Sequence, residues 1–166
     1  MSGLLIRTVT IMAAAMTCLA PCAFASPANS QGSPLIIQVS GVPSNRGLVR
    51  VNVCTLGTFL KGGCPYSGAA PAVQGVTTVT VNDVPPGVYA VQLFDDPRDL
   101  GHVDRGVFGI PKVAIGFSNN APVGLHGPKF GRASFIHGDD TQTITVTLRR
   151  FGPGARQIPP TQEAAE

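Results

Sequence analysis

Apolar and polar residues alternate with a period of two in several stretches of this chain, a pattern typical of β-strands with one buried face. The alternation is clearest at residues 37–40, 49–53, 78–82, 89–93 and 143–149. Sustained helical periodicity is absent beyond the N-terminal region. The sequence therefore predicts an all-β chain.

Turn residues between these stretches suggest how neighbouring strands pair. Residues 43–47 lie between the first two stretches, and Pro85-Pro86-Gly87 lies between the next two. Because proline cannot donate to a strand ladder and glycine adopts unusual dihedrals, we predict turns at both places and a hairpin around each. Weaker alternation adds strands at 113–117 and 133–135. Frequent turns between short strands predict one β-sandwich of about seven strands, spanning residues 34–150.

The first 25 residues have the layout of a secretory signal peptide. Arg7 precedes an apolar run at 9–20, and Ala23-Phe24-Ala25 forms an A-x-A cleavage site. The apolar run is shorter than the roughly 20 apolar residues that span a bilayer. We therefore expect a mature chain that starts at Ser26, a linker at 26–33, no transmembrane segment and a periplasmic or secreted location.

Both ends of the chain lie outside the predicted sandwich. Processing at Cys22 is the alternative at the N-terminus, and it would tether the protein to a membrane through an acylated cysteine. Pro21 disfavours this processing because its restrained backbone hinders the extended conformation that a peptidase needs. Residues 151–166 carry three prolines and few apolar side chains, so they are predicted to be a disordered tail.

The charge of the chain gives no indication of a nucleic-acid partner. The whole sequence has 12 Lys and Arg against 9 Asp and Glu. Arg7 is the only charged residue in the predicted signal peptide, so 11 cationic residues remain against 9 acidic ones and the net charge becomes +2. A nucleic-acid-binding domain is normally far more basic.

Cys54 and Cys64 are the two cysteines that remain once the predicted signal peptide is removed. In an oxidising compartment such a pair is expected to form a disulfide. Neither cysteine has a His or Cys two to four residues away, which argues against a zinc site.

Several short motifs resemble a known bacterial family. Residues 83–91, Asp-Val-Pro-Pro-Gly-Val-Tyr-Ala-Val, are similar to the Pro-Pro-Gly-x-Tyr hairpin of prealbumin-like and Cna-B-like sandwich domains. Gly-Ile-Pro-Lys at 109–112 and Gly-Phe-Ser-Asn-Asn at 116–120 follow in an order similar to that of the uncharacterised family called domain of unknown function 2141. The resemblance covers about residues 35–148. It implies an exported immunoglobulin-like or prealbumin-like β-sandwich and implies no activity.

The same resemblance raises the question of a calcium loop. Members of the family commonly carry Asp-x-Asn-x-Asn-Gly-x-x-Asp after this strand. Here Asp96, Gly101 and Asp104 keep the first acid, the turn and the last acid, whereas Arg98 and Leu100 replace the asparagines. Because calcium takes six to eight oxygen ligands, we predict a degenerate loop and expect no metal or other cofactor.

The acidic and histidine side chains form no recognisable catalytic constellation. Aspartates that are close together can shift one another's pKa, as general acid–base catalysis requires, and the candidates are Asp95, Asp96, Asp99 and Asp104. Since no positioned nucleophile or oxyanion donor accompanies them, we interpret them as a solvated acidic turn paired with Arg98 and Arg105. Three histidines stand at no short ligand interval and are interpreted as surface residues: His102, His126 and His137.

Phe117, Asn119 and Asn120 are the candidate binding residues. An exposed Asn beside an aromatic ring can hydrogen-bond to and stack on a sugar or a peptide. The alternative interpretation places Phe117 and Phe130 in the core and uses the two Asn side chains to cap a turn.

The function expected from these features is that of an exported, non-catalytic binding or accessory domain of the cell envelope. Its partner would be a carbohydrate, a peptide or an envelope protein, and no nucleic acid. One alternative is a metal-dependent hydrolase that uses Asp96, Asp104 and the loop between them. Another is a structural envelope protein that assembles through its sheet edges.

Overall fold

The computed structural model describes residues 32–106, 109–123 and 127–151. The predicted signal peptide, the start at Ser26, Cys22, the linker up to residue 31 and the tail from residue 152 lie outside them. The described chain forms eight strands, a short 3-10 turn and a short helix. In chain order these are β1 Ser33–Val42, β2 Leu48–Cys54, β3 Tyr66–Pro71, β4 Gly75–Val84, β5 Gly87–Asp96, β6 Ile115–Phe117, the 3-10 turn Ser118–Asn120, α1 Phe130–Ala133, β7 Ser134–His137 and β8 Gln142–Thr147.

The strands form two sheets that pack face to face. The three-stranded sheet has the order β4-β1-β8, in which β1 is antiparallel to β4 and parallel to β8. The five-stranded sheet has the order β3-β2-β5-β6, and β7 pairs with the start of β5 on the edge that β6 also uses. This arrangement confirms the predicted all-β sandwich. It has eight described strands where about seven were expected.

Neither predicted hairpin is present. β1 and β2 lie in different sheets, and so do β4 and β5, so the turn at 43–47 and the turn at Pro85-Pro86 each carry the chain from one sheet to the other. The hairpin predictions were wrong because alternation shows only that one face of a strand is buried. Both sheets bury a face in the same core, so a strand that crosses over shows the same pattern as one that pairs with its predecessor.

The main core lies between the two sheets and consists of side chains that point inward from both. Leu35, Ile37 and Val39 of β1 are completely buried, and they pack with Val49 of β2 and Val91 of β5. Each buried side chain of this size contributes roughly 1.5–3 kcal/mol relative to an exposed one. This core holds the two sheets against each other. It therefore also positions the loops at the ends of the sandwich.

Two glycines allow the sheets to approach each other at their flanks. A Cβ atom on Gly68 of β3 would stand 2.8 Å from a backbone oxygen of β4, and one on Gly116 of β6 would stand 2.8 Å from a backbone oxygen of β8. Beside Gly116, Ile115 and Arg149 exchange two backbone hydrogen bonds of 2.9 and 2.8 Å. The flank between β3 and β4 is thus closed by packing alone. The flank between β6 and β8 is closed by packing and by hydrogen bonds.

A second, smaller core covers the outer face of the five-stranded sheet. Phe59 lies on the loop after β2, and its ring centroid is 6.0 Å from that of Phe117 and 5.7 Å from that of Phe130. Cys54 and Ala90 are completely buried beneath these rings. The loop after β2 and helix α1 are therefore part of the folded body.

Candidate functional site

Asp95 lies at the end of β5 with its side chain on the inner face of the sheet. Every second residue of this part of β5 points inward: Tyr89, Val91 and Leu93 do so, and Asp95 is the next residue in this alternation. Its side chain is only 2% exposed, and its Oδ1 atom has no hydrogen-bond partner among the described residues. Burial raises the pKa of Asp95, while the nearby Arg150 acts to lower it and Asp96 acts to raise it.

Asp95 is one of the residues that line an open cavity of about 560 Å³ at one end of the sandwich. We call this cavity the end pocket. Its walls come from the β1–β2 turn, the chain after β5, the segment before β6 and the residue Arg150 after β8. The charged residues that line it are Arg46, Asp95, Arg98, Asp104, Lys112 and Arg150.

Positive charge predominates in the end pocket. Arg98 forms an ion pair with Asp104, and the Lys112 Nζ atom is 4.0 Å from the Asp104 Oδ1 atom. Arg46 and Arg150 also line the cavity, and both residues are exposed. Two carboxyls therefore face four cationic side chains, and one of those carboxyls is the buried, unpartnered group of Asp95.

The neighbouring Asp96 has a different environment. Its carboxylate accepts hydrogen bonds of 2.8 Å from each of three donors: the Leu100 N–H, the Gly101 N–H and Arg50 Nε. Burial alone would raise the pKa of Asp96, but the two backbone donors and then Arg50 outweigh it and hold the pKa below its ordinary value. Arg50 also pairs with Asp99.

The interpretation of these aspartates as a solvated turn was wrong in part. Asp95 and Asp96 are each only 2% exposed: Asp95 lies on the inner face of β5, and the chain after β5 folds back so that the N–H groups of Leu100 and Gly101 bond to Asp96. Arg98 does pair with Asp104, as expected, whereas Arg105 donates to the carbonyl oxygen of Gly109. Asp96 takes Arg50 as its partner, and Arg50 comes from a strand distant in sequence.

These contacts do not fit a calcium loop. Both oxygens of Asp96 are occupied by N–H donors, and Asp104 is paired with Arg98. A calcium ion needs free oxygen ligands, whereas the donors around Asp96 present hydrogens to the same space. Among the described residues, no three His, Cys, Asp or Glu side chains are grouped so that they could hold a metal ion.

The structure brings Phe117, Asn119 and Asn120 together at one edge but employs their side chains internally. Phe117 is 8% exposed in the second core. Asn119 Nδ2 donates to the carbonyl oxygen of Ser134 at 2.8 Å, and Asn120 Oδ1 accepts from the Thr147 N–H at 2.9 Å. These bonds tie the turn to β7 and β8. A binding role for the three residues stays a prediction.

Cys54 and Cys64 form the predicted disulfide. The disulfide closes the loop after β2, and Gln92 holds this loop against the sheet. Gln92 Oε1 accepts a hydrogen bond from the Leu60 N–H at 3.1 Å, and Gln92 Nε2 lies 3.7 Å from Cys64 Sγ. A second open cavity of about 390 Å³ lies beside this loop on the outer face, over Asn52 and Gln92. Unlike the end pocket, its lining includes no buried polar side-chain atom that lacks a partner among the described residues.

The histidines do not form one site in the described chain. His137 is 1% exposed, with Nε2 3.0 Å from Ser33 Oγ and Nδ1 2.9 Å from Gln142 Oε1, so its interpretation as a surface residue was wrong. Ser33 at the start of β1, Gln142 at the start of β8 and the ring of Tyr89, whose centroid is 6.5 Å away, surround the His137 ring. His102 is exposed, and His126 lies outside the described residues.

The fold and the end pocket define a small two-sheet β-sandwich with a polar cavity at one end. A family profile described as "Uncharacterized protein conserved in bacteria (DUF2141)" matches residues 37–145, and the chain belongs to that family. Comparison with curated proteins and with solved structures gives no match. In the described part of the chain, no helix has the length and apolar character needed to cross a membrane.

Proposed function

We propose that this protein is an exported, non-catalytic binding domain of the cell envelope and that its ligand occupies the end pocket. The signal-like N-terminus and the Cys54–Cys64 disulfide support export, since disulfides persist in oxidising compartments. The cavity volume of about 560 Å³ is in the range of small-molecule sites.

The observation that carries the proposal is that Asp95, which lines this cavity, has a buried Oδ1 atom without a partner among the described residues. A buried polar atom without a partner costs roughly 1–3 kcal/mol, more if it is charged. Most buried polar atoms in native proteins are paired, so an exception calls for a reason. A ligand that donates a hydrogen bond to Asp95 Oδ1 would be such a reason. The free energy that the unpartnered atom costs in the free protein would then be recovered when the ligand binds.

The two alternative functions have less support. A hydrolase that uses Asp96 and Asp104 would need these carboxylates free, whereas Asp96 accepts three hydrogen bonds and Asp104 is paired with Arg98. For assembly through sheet edges, β6 is already bonded to Arg149, and no observed contact singles out another outer strand of either sheet as an interface.

A ligand screen with matched variants tests the proposal. Melting temperatures would be measured for the wild-type protein and the Asp95→Val variant against a panel of envelope sugars, peptides and small anions. Asp139→Asn is the control, because Asp139 is exposed in the β7–β8 turn at the opposite end of the sandwich. At least one ligand should stabilise the wild type and the control but not Asp95→Val. If every stabilising ligand acts equally on all three proteins, the end pocket is not the binding site.

A further inference from the structure

The charge and the hydrogen-bonding capacity of the end pocket together restrict its ligand. We infer that the end pocket binds a small anionic sugar, an inference that rests on the proposed function. The anionic group of the sugar would face the arginines and the lysine, and one of its hydroxyl groups would donate a hydrogen bond to Asp95. The shared chemistry is a sugar ring that bears a carboxylate or a phosphate.

The cationic side chains select for an anionic ligand. Arg46, Arg98, Lys112 and Arg150 line the cavity, and Asp104 offsets only part of their charge. Arg150 and Arg46 have no acidic partner within 4.0 Å among the described residues. Guanidinium groups suit carboxylate and phosphate oxygens because their planar donors can bind two oxygens at once.

Asp95 excludes a plain anion. A ligand such as acetate or inorganic phosphate can pair with the cations but, where it reaches the Asp95 carboxylate, it meets a charge of its own sign. Asp95 Oδ1 is a hydrogen-bond acceptor without a partner among the described residues, and Asp95 lines the same cavity as the four cations. The ligand therefore has to present an anionic group and a hydroxyl donor on the same small framework, as an acidic sugar does.

The remaining lining also disfavours a neutral sugar. None of the described lining residues of the end pocket is aromatic, and its apolar part comes from Pro43, Pro97 and Val113. Stacking of a sugar ring on an aromatic face is thus not available. Affinity has to come from the charged and hydrogen-bonding groups, which requires a charge on the ligand.

Calorimetric titration of the mature chain with four probes tests the inference: glucuronate, glucose 6-phosphate, glucose and acetate. We expect glucuronate, glucose 6-phosphate or both to bind. Glucose and acetate should bind at least about tenfold more weakly, because each of them lacks one charge-assisted contact that the acidic sugars make. The comparison between glucuronate and glucose 6-phosphate distinguishes a carboxylate from a phosphate ligand.

Two variants separate the roles of the two parts of the pocket. Arg150→Gln should reduce the preference for glucuronate over glucose, and Asp95→Val should reduce the preference for glucuronate over acetate. A merely structural effect would weaken every probe alike. Asp95→Asn, which keeps the side-chain shape and an acceptor oxygen, is the second variant if Asp95→Val does not fold.

Equal affinity for glucuronate and glucose, equal affinity for glucuronate and acetate, or no binding of either acidic sugar would overturn the inference. The proposed function would survive that result if the ligand screen still yields a compound of another class whose effect depends on Asp95. It would fail as well if no ligand effect depends on the end pocket.

Discussion

Arg50 and Asp96 form a hydrogen-bonded ion pair of 2.8 Å that joins β2 to the end of β5. The two residues are diagonal neighbours on the outer face, since Leu48 of β2 is the register partner of Asp96 and Arg50 is that of Phe94. The pair completes the shell of donors around a buried carboxylate. It thereby fixes the start of the chain segment that forms one wall of the end pocket.

Replacing Arg50 should destabilise the protein. Arg50→Ala leaves the buried Asp96 carboxylate with two backbone donors, and we expect a loss of about 1–3 kcal/mol in the free energy of unfolding at pH 7. Because the folded pKa of Asp96 is lowered, the stability it contributes is present above its unfolded pKa of 3.8 and is lost as pH falls through the folded value. Urea denaturation at pH 7 and pH 3 measures both effects. Arg132→Ala, at an exposed position, is the control, and an equal loss at both pH values would contradict the prediction.

Asp95 should have the opposite pH dependence. Its folded pKa is raised, so the folded state retains the proton more readily and stability falls as pH rises from the unfolded value of 3.8 through the folded pKa. Asp95→Asn removes this cost, and we expect it to be roughly 1–2 kcal/mol more stable than wild type at pH 7 but not at pH 3. Melting temperatures across this range test it, with Asp139→Asn as the exposed comparison. A variant less stable than wild type at pH 7 would argue against an uncompensated carboxyl.

Calcium should not bind to the loop that contains Asp96 and Asp104. A useful site would stabilise the protein by about 2.7 kcal/mol at a hundredfold excess over Kd, whereas we expect no change in melting temperature. The variant Arg98→Asn with Leu100→Asn restores two family oxygens, yet Arg50 and two backbone N–H groups still occupy Asp96. Calorimetry on both proteins should therefore show no micromolar binding. Heat of calcium binding by either one would contradict the proposed state of the loop.

Loss of the disulfide should weaken the fold without abolishing it. The bond closes a loop with a sequence separation of 10 residues, and the loop-entropy relation gives a contribution of about 3 kcal/mol for such a loop. The double variant Cys54→Ser with Cys64→Ser should lose stability by that amount in urea denaturation. Intact mass after alkylation, with and without reductant, checks the wild-type bond. Two alkylated thiols in unreduced protein would show that the bond is absent.

The glycines at the flanks should not tolerate a side chain. Gly116→Ala places a Cβ atom 2.8 Å from the Thr147 carbonyl oxygen, and Gly68→Ala places one 2.8 Å from that of Thr80. Overpacking of this kind costs about 1–3 kcal/mol. Gly131→Ala is the matched control, since nothing lies within 4 Å of its Cβ position. If all three variants melt together, the flanks are looser than the geometry indicates.

Alternation of apolar and polar residues predicted most of the strands because a strand with one buried face needs an apolar side chain at every second position. Strand β3 was missed since Ser67-Gly68-Ala69-Ala70 has no β-branched residue, and its place depends on close approach to β4. Strand pairing was predicted wrongly because it depends on long-range contacts. The disulfide was predictable from compartment and cysteine count, whereas the Arg50–Asp96 pair links residues 46 positions apart.

The end pocket was missed although the sequence carries one signal of it. Asp95 continues the inward phase of Tyr89, Val91 and Leu93, so the alternation of β5 already places its carboxyl on the buried face. The cations around it come from four separate segments, and no local pattern brings those together.

The parallel pairing of β1 and β8 has a consequence for the order of folding. Ser40 and Thr147 are register partners, and their side chains hydrogen-bond although 107 residues separate them. The central strand of its sheet thus receives one of its two neighbours only after almost the whole domain has been synthesised. Proteins dominated by such distant pairings fold slowly, in milliseconds to seconds. The sheet of β4, β1 and β8 is therefore complete only once the chain has been made as far as Thr147, so its assembly is expected to be a late step in folding.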